Sequence, residues 1–259
     1  MSLKKSCVNL ARRLLESKAG FRLRNFVVRD TLARVEIVVH DSQSIRLCRP
    51  NPTIQWRNRT FSTKEPETLA WIDSFSGSSV LWDIGANIGL YSIYAGIRKV
   101  RVVAFEPSPF NLEFLTRNVN LNSLQEVVTV MPIAVGIFGQ RYATLSGKNM
   151  NWGHSKNQFE ADAKKDSRAS SPWHIRTVGI ALCDVTSLFK LPNPSHIKID
   201  VDGIELQILE SAGDVLRNVE SVLVEINGIE EGVRIGEILA NAGLKLAKSG
   251  RVNQIWKRI

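Results

Sequence analysis

The sequence predicts an α/β fold built on a mostly parallel sheet, and three observations carry that prediction. Val80-Leu81-Trp82-Asp83-Ile84-Gly85-Ala86-Asn87-Ile88-Gly89 reads as a buried strand, a glycine turn and a helix start. Val102-Val103-Ala104-Phe105-Glu106-Pro107 reads as a second buried strand ending in an acid. Beyond it, strand-length apolar runs alternate with helix-length segments, the pattern of βαβ units.

Taken in order, residues 1–19 read as an amphipathic helix. Leu3, Cys7, Leu10 and Leu14 recur at helical spacing, with Lys4, Lys5, Arg12 and Arg13 between them. Residues 22–28, 34–39 and 45–47 read as short strands of a hairpin-like extension. The main domain begins near Glu65-Pro66-Glu67-Thr68, which starts a helix running to Phe75. Strands are expected at 79–84, 101–106, 127–132, 196–201 and 220–226, and helices at 89–98, 109–121, 205–216 and 231–242. Residues 244–257 fit a closing antiparallel hairpin around Ser249-Gly250.

The alternation fails between 133 and 195. Segments 141–145 and 176–182 read as an inserted pair of strands. The polar stretch 148–172 reads as a substrate-covering loop, with disorder as the alternative. Its neighbourhood carries Trp152 and Trp173, which suit packing on a sugar face or an aglycone. The expected organisation is a basic N-terminal extension, 1–60, and a main domain, 61–259, with the insertion at about 148–172.

Composition narrows the class. The 259 residues suffice for one large α/β domain, and no apolar run approaches the roughly 20 residues that span a bilayer. The start is basic without a continuous apolar core, which argues against a secretory signal. Cys7, Cys48 and Cys183 are few, odd in number and far apart. That points to reduced thiols in a cytoplasmic protein, with no disulfide framework or zinc cluster. Residues 1–60 hold 13 Lys or Arg against 4 Asp or Glu, and the remainder holds 21 of each, so the net charge of +9 belongs to the first segment. It is either a solvated basic face or a contact for an anionic partner: a membrane surface, a phosphorylated carrier or a nucleic acid.

The glycine turn and the acid after the second strand define a nucleoside crevice. Gly85 lets the backbone approach a ligand, and the helix start offers N–H groups. Glu106, 21 residues beyond Gly85, can accept hydrogen bonds from ribose hydroxyls. The Gly-x-x-x-Gly spacing is not the pyrophosphate fingerprint. Asp83 just before the turn would repel a pyrophosphate and welcome a cationic amino-acid group. The combination favours S-adenosylmethionine over NAD.

The chain resembles the FkbM-type S-adenosylmethionine-dependent methyltransferases over about residues 60–230. The resemblance rests on Glu65-Pro66-Glu67-Thr68, Asp83-Ile84-Gly85-Ala86-Asn87-Ile88-Gly89, Phe105-Glu106-Pro107, Ile197-Lys198-Ile199-Asp200-Val201-Asp202-Gly203-Ile204-Glu205 and Leu223-Val224-Glu225-Ile226. The family usually has Glu where this chain has Asp202. The resemblance implies a Rossmann-like fold with a seven-stranded sheet, one strand of it antiparallel. It also implies O-methylation of a hydroxyl on a small molecule or glycan, a sugar or a secondary metabolite. On this reading Asp83, Gly85, Ala86, Asn87 and Gly89 hold the methionine end of the cofactor. Glu106 takes the ribose hydroxyls, and Pro107, Ser108, Ala134 and Val135 flank adenine. Packing alone is the alternative for Gly85, Gly89, Ala134 and Val135.

An acceptor hydroxyl needs a base or a metal ion. Asp200, with Asp202 at the same strand end, is the first candidate to take the proton, orient the acceptor or meet the cofactor's ammonium. His154 is either a base or a solvated loop histidine. Glu67 either approaches the acceptor or caps a helix. Lys198 is expected on the opposite face, in a structural role. A metal version would place Mg²⁺ on Asp200, Glu225 and Asn227, whose oxygens suit it. The alternative makes Glu225 a packing acid and Asn227 a turn residue. Two rival functions stay open: a nucleic-acid methyltransferase with a basic arm, and a non-catalytic binding module of the same fold.

Overall fold

The computed structural model describes residues 15–136, 142–147, 149–155, 158–160 and 172–258. The expected helix over 1–19 therefore lies largely outside the described residues, as does most of 148–172. Chain order gives α1 (Lys18–Ala33), β1 (Val35–His40), β2 (Gln43–Cys48), α2 (Pro52–Lys64), α3 (Pro66–Asp73), β3 (Val80–Ile84), α4 (Leu90–Ile97), β4 (Arg101–Phe105), α5 (Pro109–Leu121) and β5 (Val128–Met131). Then come β6 (Ala134–Gly136), β7 (Tyr142–Gly147), β8 (Gln158–Glu160), β9 (Trp173–Ala181), α6 (Val185–Phe189), β10 (His196–Ile199), α7 (Glu205–Glu210), α8 (Val215–Asn218), β11 (Ser221–Glu225), α9 (Ile229–Asn241), β12 (Leu244–Ser249) and β13 (Asn253–Arg258).

The main sheet is seven-stranded in the order β12-β13-β11-β10-β3-β4-β5. Strands β11, β10, β3, β4 and β5 run parallel, while β13 is antiparallel to both of its neighbours. Its faces bury different halves of the same strands. Trp82, Ile84, Val103, Phe105, Ile197 and Ile199 join one core, and Leu81, Val102, Ala104 and Leu223 join the other. That is the two-residue period of a strand covered on both sides, and it explains why these strands read as continuous apolar runs.

The stretch that broke the alternation is a second sheet, ordered β6-β9-β7-β8. There β7 pairs antiparallel with β9, as the inserted-strand reading required, and β6 runs parallel to β9.

Two expectations are corrected. Residues 22–28 are not a strand but part of α1, whose N-cap Ser17 accepts a hydrogen bond from the Gly20 N–H (3.1 Å). The alternation Phe21-Arg22-Leu23-Arg24 imitates a strand because the helix is apolar on more than one side. Phe21, Leu23, Phe26, Val27 and Val28 all stay exposed. Helix α2 was not anticipated, although Asn51 caps it onto the Ile54 N–H (2.8 Å) and Pro52 occupies its first turn.

The N-terminal elements are not loosely attached. Ile45 and Leu47 of β2 and Phe61 of α2 belong to the same core as Leu81 and Val102. Asn118 of α5 joins the two parts, accepting from the Cys48 N–H (2.8 Å) and donating to the Ile88 carbonyl (2.8 Å). This fixes the glycine turn against the hairpin.

Candidate active site

A cavity of about 260 Å³ opens at the carboxyl ends of β3, β4, β10 and β11, where ligands enter open α/β sheets. Its walls include Gly85, Asn87, Glu106, Pro107, Ala134, Val135, His154, Asp200, Asp202 and Glu225. A smaller recess of about 50 Å³ shares Arg57, Lys64, Gly85, Asn87 and Asp200 with it and adds Glu65, Ala86, Tyr91 and Lys198.

Gly85 has φ +83°, and a Cβ there would overlap the carbonyl oxygen of Asp200. Only glycine lets β3 and β10 close up at this point. Asn87, at φ +53°, presents its N–H to Glu106 Oε2 (2.8 Å), and the Ser108 N–H meets Oε1 (2.9 Å). Glu106 is buried, which pushes its carboxyl up to about 7 against the pull of these two bonds and a third from Asn111. Gly89, at φ +84°, packs against Leu115 and does not line the cavity. Ser108 is buried behind Glu106. Ala134 and Val135 reach the cavity wall from β6.

Asp83 lies beneath the floor. Its Oδ2 accepts from Ser92 Oγ (2.6 Å), and its Oδ1 faces Lys198 Nζ at 3.5 Å. Lys198 also donates to Asp200 Oδ2 (3.1 Å) and sits over the Tyr91 ring. The expectation that Lys198 points away is corrected: Asp200 lies one residue beyond the end of β10, two positions from Lys198, and the two side chains meet on one face. Burial alone would push the Lys198 ammonium towards neutrality, but the Asp200 and Asp83 carboxylates outweigh it and hold it charged. Burial alone would raise Asp200, and the Lys198 cation outweighs that, holding it below the usual range.

Asp200 is thus an ion-paired carboxylate and a weak base. Glu225 differs. Burial first, then the nearby Asp200, push it up to about 7. Glu205 closes the loop between them, accepting from the Val201 and Gly203 N–H groups (3.0 Å each). Asp202 stands in that loop at φ +64°, a conformation short Asp side chains tolerate better than most.

The other expected residues divide. The His154 carbonyl accepts from Asn87 Nδ2 and Asn111 Nδ2 (3.2 Å each), while its ring Nε2 meets Asn149 Nδ2 (3.3 Å). Glu67 sits in the first turn of α3, near Gly250, outside the cavity walls. The acid that reaches the recess is Glu65, bonded by the Tyr91 hydroxyl (2.9 Å). Its burial was not legible from the motif. Asn227 turns its amide to Glu205 (3.2 Å) and lines neither chamber. Of the three residues offered for Mg²⁺, Asp200 and Glu225 share the cavity wall and Asn227 does not. Among the described residues there is also no cluster of three or more His, Cys, Asp or Glu suited to a metal.

The insertion covers this site. Asn51 Nδ2 donates to the Trp152 carbonyl (3.1 Å), Arg57 Nε to the Gly153 carbonyl (2.6 Å), and the Gly153 N–H to Asn111 Oδ1 (3.1 Å). Trp152 packs on Phe114 and Trp173 on Phe110. Both tryptophans thus find their partners on α5, rather than waiting for a sugar face.

A seven-stranded α/β sheet with one antiparallel strand, a glycine turn and an acid ending the next strand define a Rossmann-like S-adenosylmethionine-dependent methyltransferase. The residues suit that cofactor: Glu106 brings a buried carboxylate to the cavity wall, and Gly85 lines the same wall. More particularly, residues 83–246 match the methyltransferase FkbM domain, and the chain belongs to that family.

Among similar proteins, the hexuronic acid methyltransferase AglP of Haloferax volcanii is 26% identical over 189 residues, covering 73% of this chain and 73% of that protein. The methyltransferase sdnD of Sordaria araneosa is 26% identical over 192 residues, covering 64% of this chain and 73% of that protein. Among solved structures, magnesium protoporphyrin IX methyltransferase from Synechocystis PCC 6803 aligns with a TM-score of 0.48 at 10% identity, over 97% of this chain and 96% of that one.

Proposed function

We propose that the protein methylates a hydroxyl of a carbohydrate or a related secondary metabolite. The observation that carries this reading is one cavity holding Glu106 at one side and Asp200 with Glu225 at the other. The similarity to a hexuronic acid methyltransferase favours a sugar acceptor.

S-adenosylmethionine supplies an electrophilic methyl group when bound. Glu106 accepts the ribose hydroxyls, and Pro107, Ala134 and Val135 flank the base. Asp200, kept ionised by Lys198, orients the acceptor. Glu225 takes the acceptor's proton, because a carboxylate raised to about 7 is a far better base near neutrality than one held low. The Trp152–His154 turn excludes water from the cavity. In this reading residues 61–259 form the transferase domain, and 1–60 form a basic extension that lends Arg57 to the site.

The test is calorimetric titration with S-adenosylhomocysteine beside Glu106→Ala, followed by transfer to hydroxylated sugars with and without Mg²⁺. Micromolar binding lost in the variant supports the reading, and no binding by the wild type overturns it.

The extension also suits an anionic partner or membrane surface. Helix α1 exposes Phe21, Leu23, Phe26, Val27 and Val28 among Arg22, Arg24 and Arg29. No helix among the described residues is long and apolar enough to cross a membrane. Co-sedimentation with phosphatidylglycerol vesicles but not phosphatidylcholine vesicles would support this surface, and equal recovery would remove it. The free thiols of Cys48 and Cys183 accord with a reducing compartment such as the cytoplasm.

A further inference from the structure

The glycine turn has no amide left for an anion. Gly85 and Ala86 donate to the Phe105 carbonyl (3.0 Å each), Asn87 to Glu106 (2.8 Å), Ile88 to Asn87 Oδ1 (2.9 Å) and Gly89 to the Ala86 carbonyl (2.8 Å). A carboxylate entering this end of the cavity does not find the open N–H cradle that glycine turns usually provide. Side-chain cations are the charged partners the recess offers it.

Three cations line the recess: Arg57, Lys64 and Lys198. Lys198 is committed to Asp200 and Asp83. Lys64 Nζ lies 2.8 Å from Glu65 Oε1. Arg57 is held only through Nε, by the Gly153 carbonyl, and its Nη groups have no acceptor among the described residues. That anchor fixes the guanidinium plane while leaving its fork available. A fixed fork is the geometry that grips a carboxylate with two parallel hydrogen bonds. Asp200 and Glu65 line the same recess, so it presents both signs of charge.

We propose that Arg57, backed by Lys64, is a carboxylate-binding site where the cavity and the recess meet. The proposal rests on reading the cavity as the cofactor and acceptor site. Two carboxylates could occupy it: that of the cofactor's methionine, or an acid group on the acceptor such as a uronate.

The experiment compares wild type, Arg57→Met and Arg57→Lys, with melting curves to confirm folding. Its first arm measures S-adenosylhomocysteine against 5′-methylthioadenosine, which lacks the amino-acid end. A loss of roughly 10–100-fold on the former alone assigns the carboxylate to the cofactor. The second arm measures transfer to a glucuronoside against the matching glucoside. A loss of roughly 10–100-fold in kcat/KM on the glucuronoside alone, with S-adenosylhomocysteine binding intact, assigns it to the acceptor. Arg57→Lys should recover part of either loss, since it keeps the charge but not the fork. If folded Arg57→Met matches the wild type in both ratios, the carboxylate site is wrong while the transferase reading stands. If the wild type binds neither nucleoside, both fail together.

Discussion

The backbone N–H of Asn87 donates to Glu106 Oε2 across 2.8 Å, tying the glycine turn after β3 to the end of β4. The two residues lie on different strand ends, and their bond pre-orients the acid before any nucleoside arrives. Glu106 therefore serves twice, as a structural acceptor and as the candidate ribose ligand.

Replacing it should separate these roles. Glu106→Gln keeps the size and one acceptor oxygen, whereas Glu106→Ala leaves the Asn87 and Ser108 amides unpaired. Hydrogen bonds to a charged acceptor contribute about 1.5–3 kcal/mol. Calorimetry should show S-adenosylhomocysteine binding weakened by about tenfold or more in the glutamine variant, and further in the alanine variant. Wild-type affinity in both would remove Glu106 from the ribose site.

Affinity should depend on pH through the same group. Burial raises Glu106 to about 7, so its protonated form is favoured in the folded protein. Its contribution to stability is full below the ordinary carboxylate value and is lost as pH rises through about 7. Accepting from ribose hydroxyls needs the ionised form, so binding should tighten between about pH 6 and pH 8. The Glu106→Gln protein should lack that rise. A flat wild-type profile would refute the assignment.

Gly85→Ala should be poorly tolerated. Its φ of +83° disfavours a side chain, and the new Cβ would strike the Asp200 backbone. A loss of roughly 2–4 kcal/mol is expected, read as a melting-temperature drop of about 5–15 °C. An unchanged melting curve would mean that β3 and β10 part at little cost.

Lys198→Met should strand Asp83, which is buried, and loosen Asp200, which is partly open to solvent. Breaking a buried ion pair from one side costs about 3–5 kcal/mol, and the partial exposure of Asp200 argues for the lower end. Denaturant titration should show the loss, and adding Asp83→Asn should restore part of it. No recovery in the double variant would mean that the lysine stabilises by packing alone.

Glu225→Gln should depress methyl transfer more than cofactor binding. The wild-type single-turnover rate should rise with pH through about 7, where Glu225 loses its proton. A general base contributes typically ~10²–10⁴-fold. A variant retaining the full single-turnover rate would return the proton-acceptor role to another group in the cavity.

Much of this architecture was legible because the central strands are covered on both faces. Leu81-Trp82 and Val102-Val103 must both be apolar to satisfy opposite cores, and such runs announce themselves. The candidate ribose acid was legible for a similar reason, since position 106 ends such a strand. The N-terminal helix was not. Residues 21–24 alternate like a strand, and the deciding signal was the Ser17 cap. The Asn51-Pro52 start of α2 was present but lay in a segment without an obvious apolar stripe. The sequence singles out Glu67, but the acid turned inward is Glu65, a choice that depends on Tyr91 and Asn253, far along the chain. The bonds of His154 to Asn87 and Asn111 pass through its carbonyl, which no residue type can advertise.

The turn Trp152-Gly153-His154 is bonded to Asn51, Arg57, Asn87 and Asn111 above the cavity. A nucleoside sealed beneath it leaves only when that strap lifts. Each hydrogen bond contributes about 0.5–1.5 kcal/mol net, so concerted release is an infrequent excursion. We expect departure of the spent cofactor to be slower than methyl transfer. A pre-steady-state burst of methylated product, one equivalent per enzyme, would be its kinetic signature, and a linear onset would exclude it.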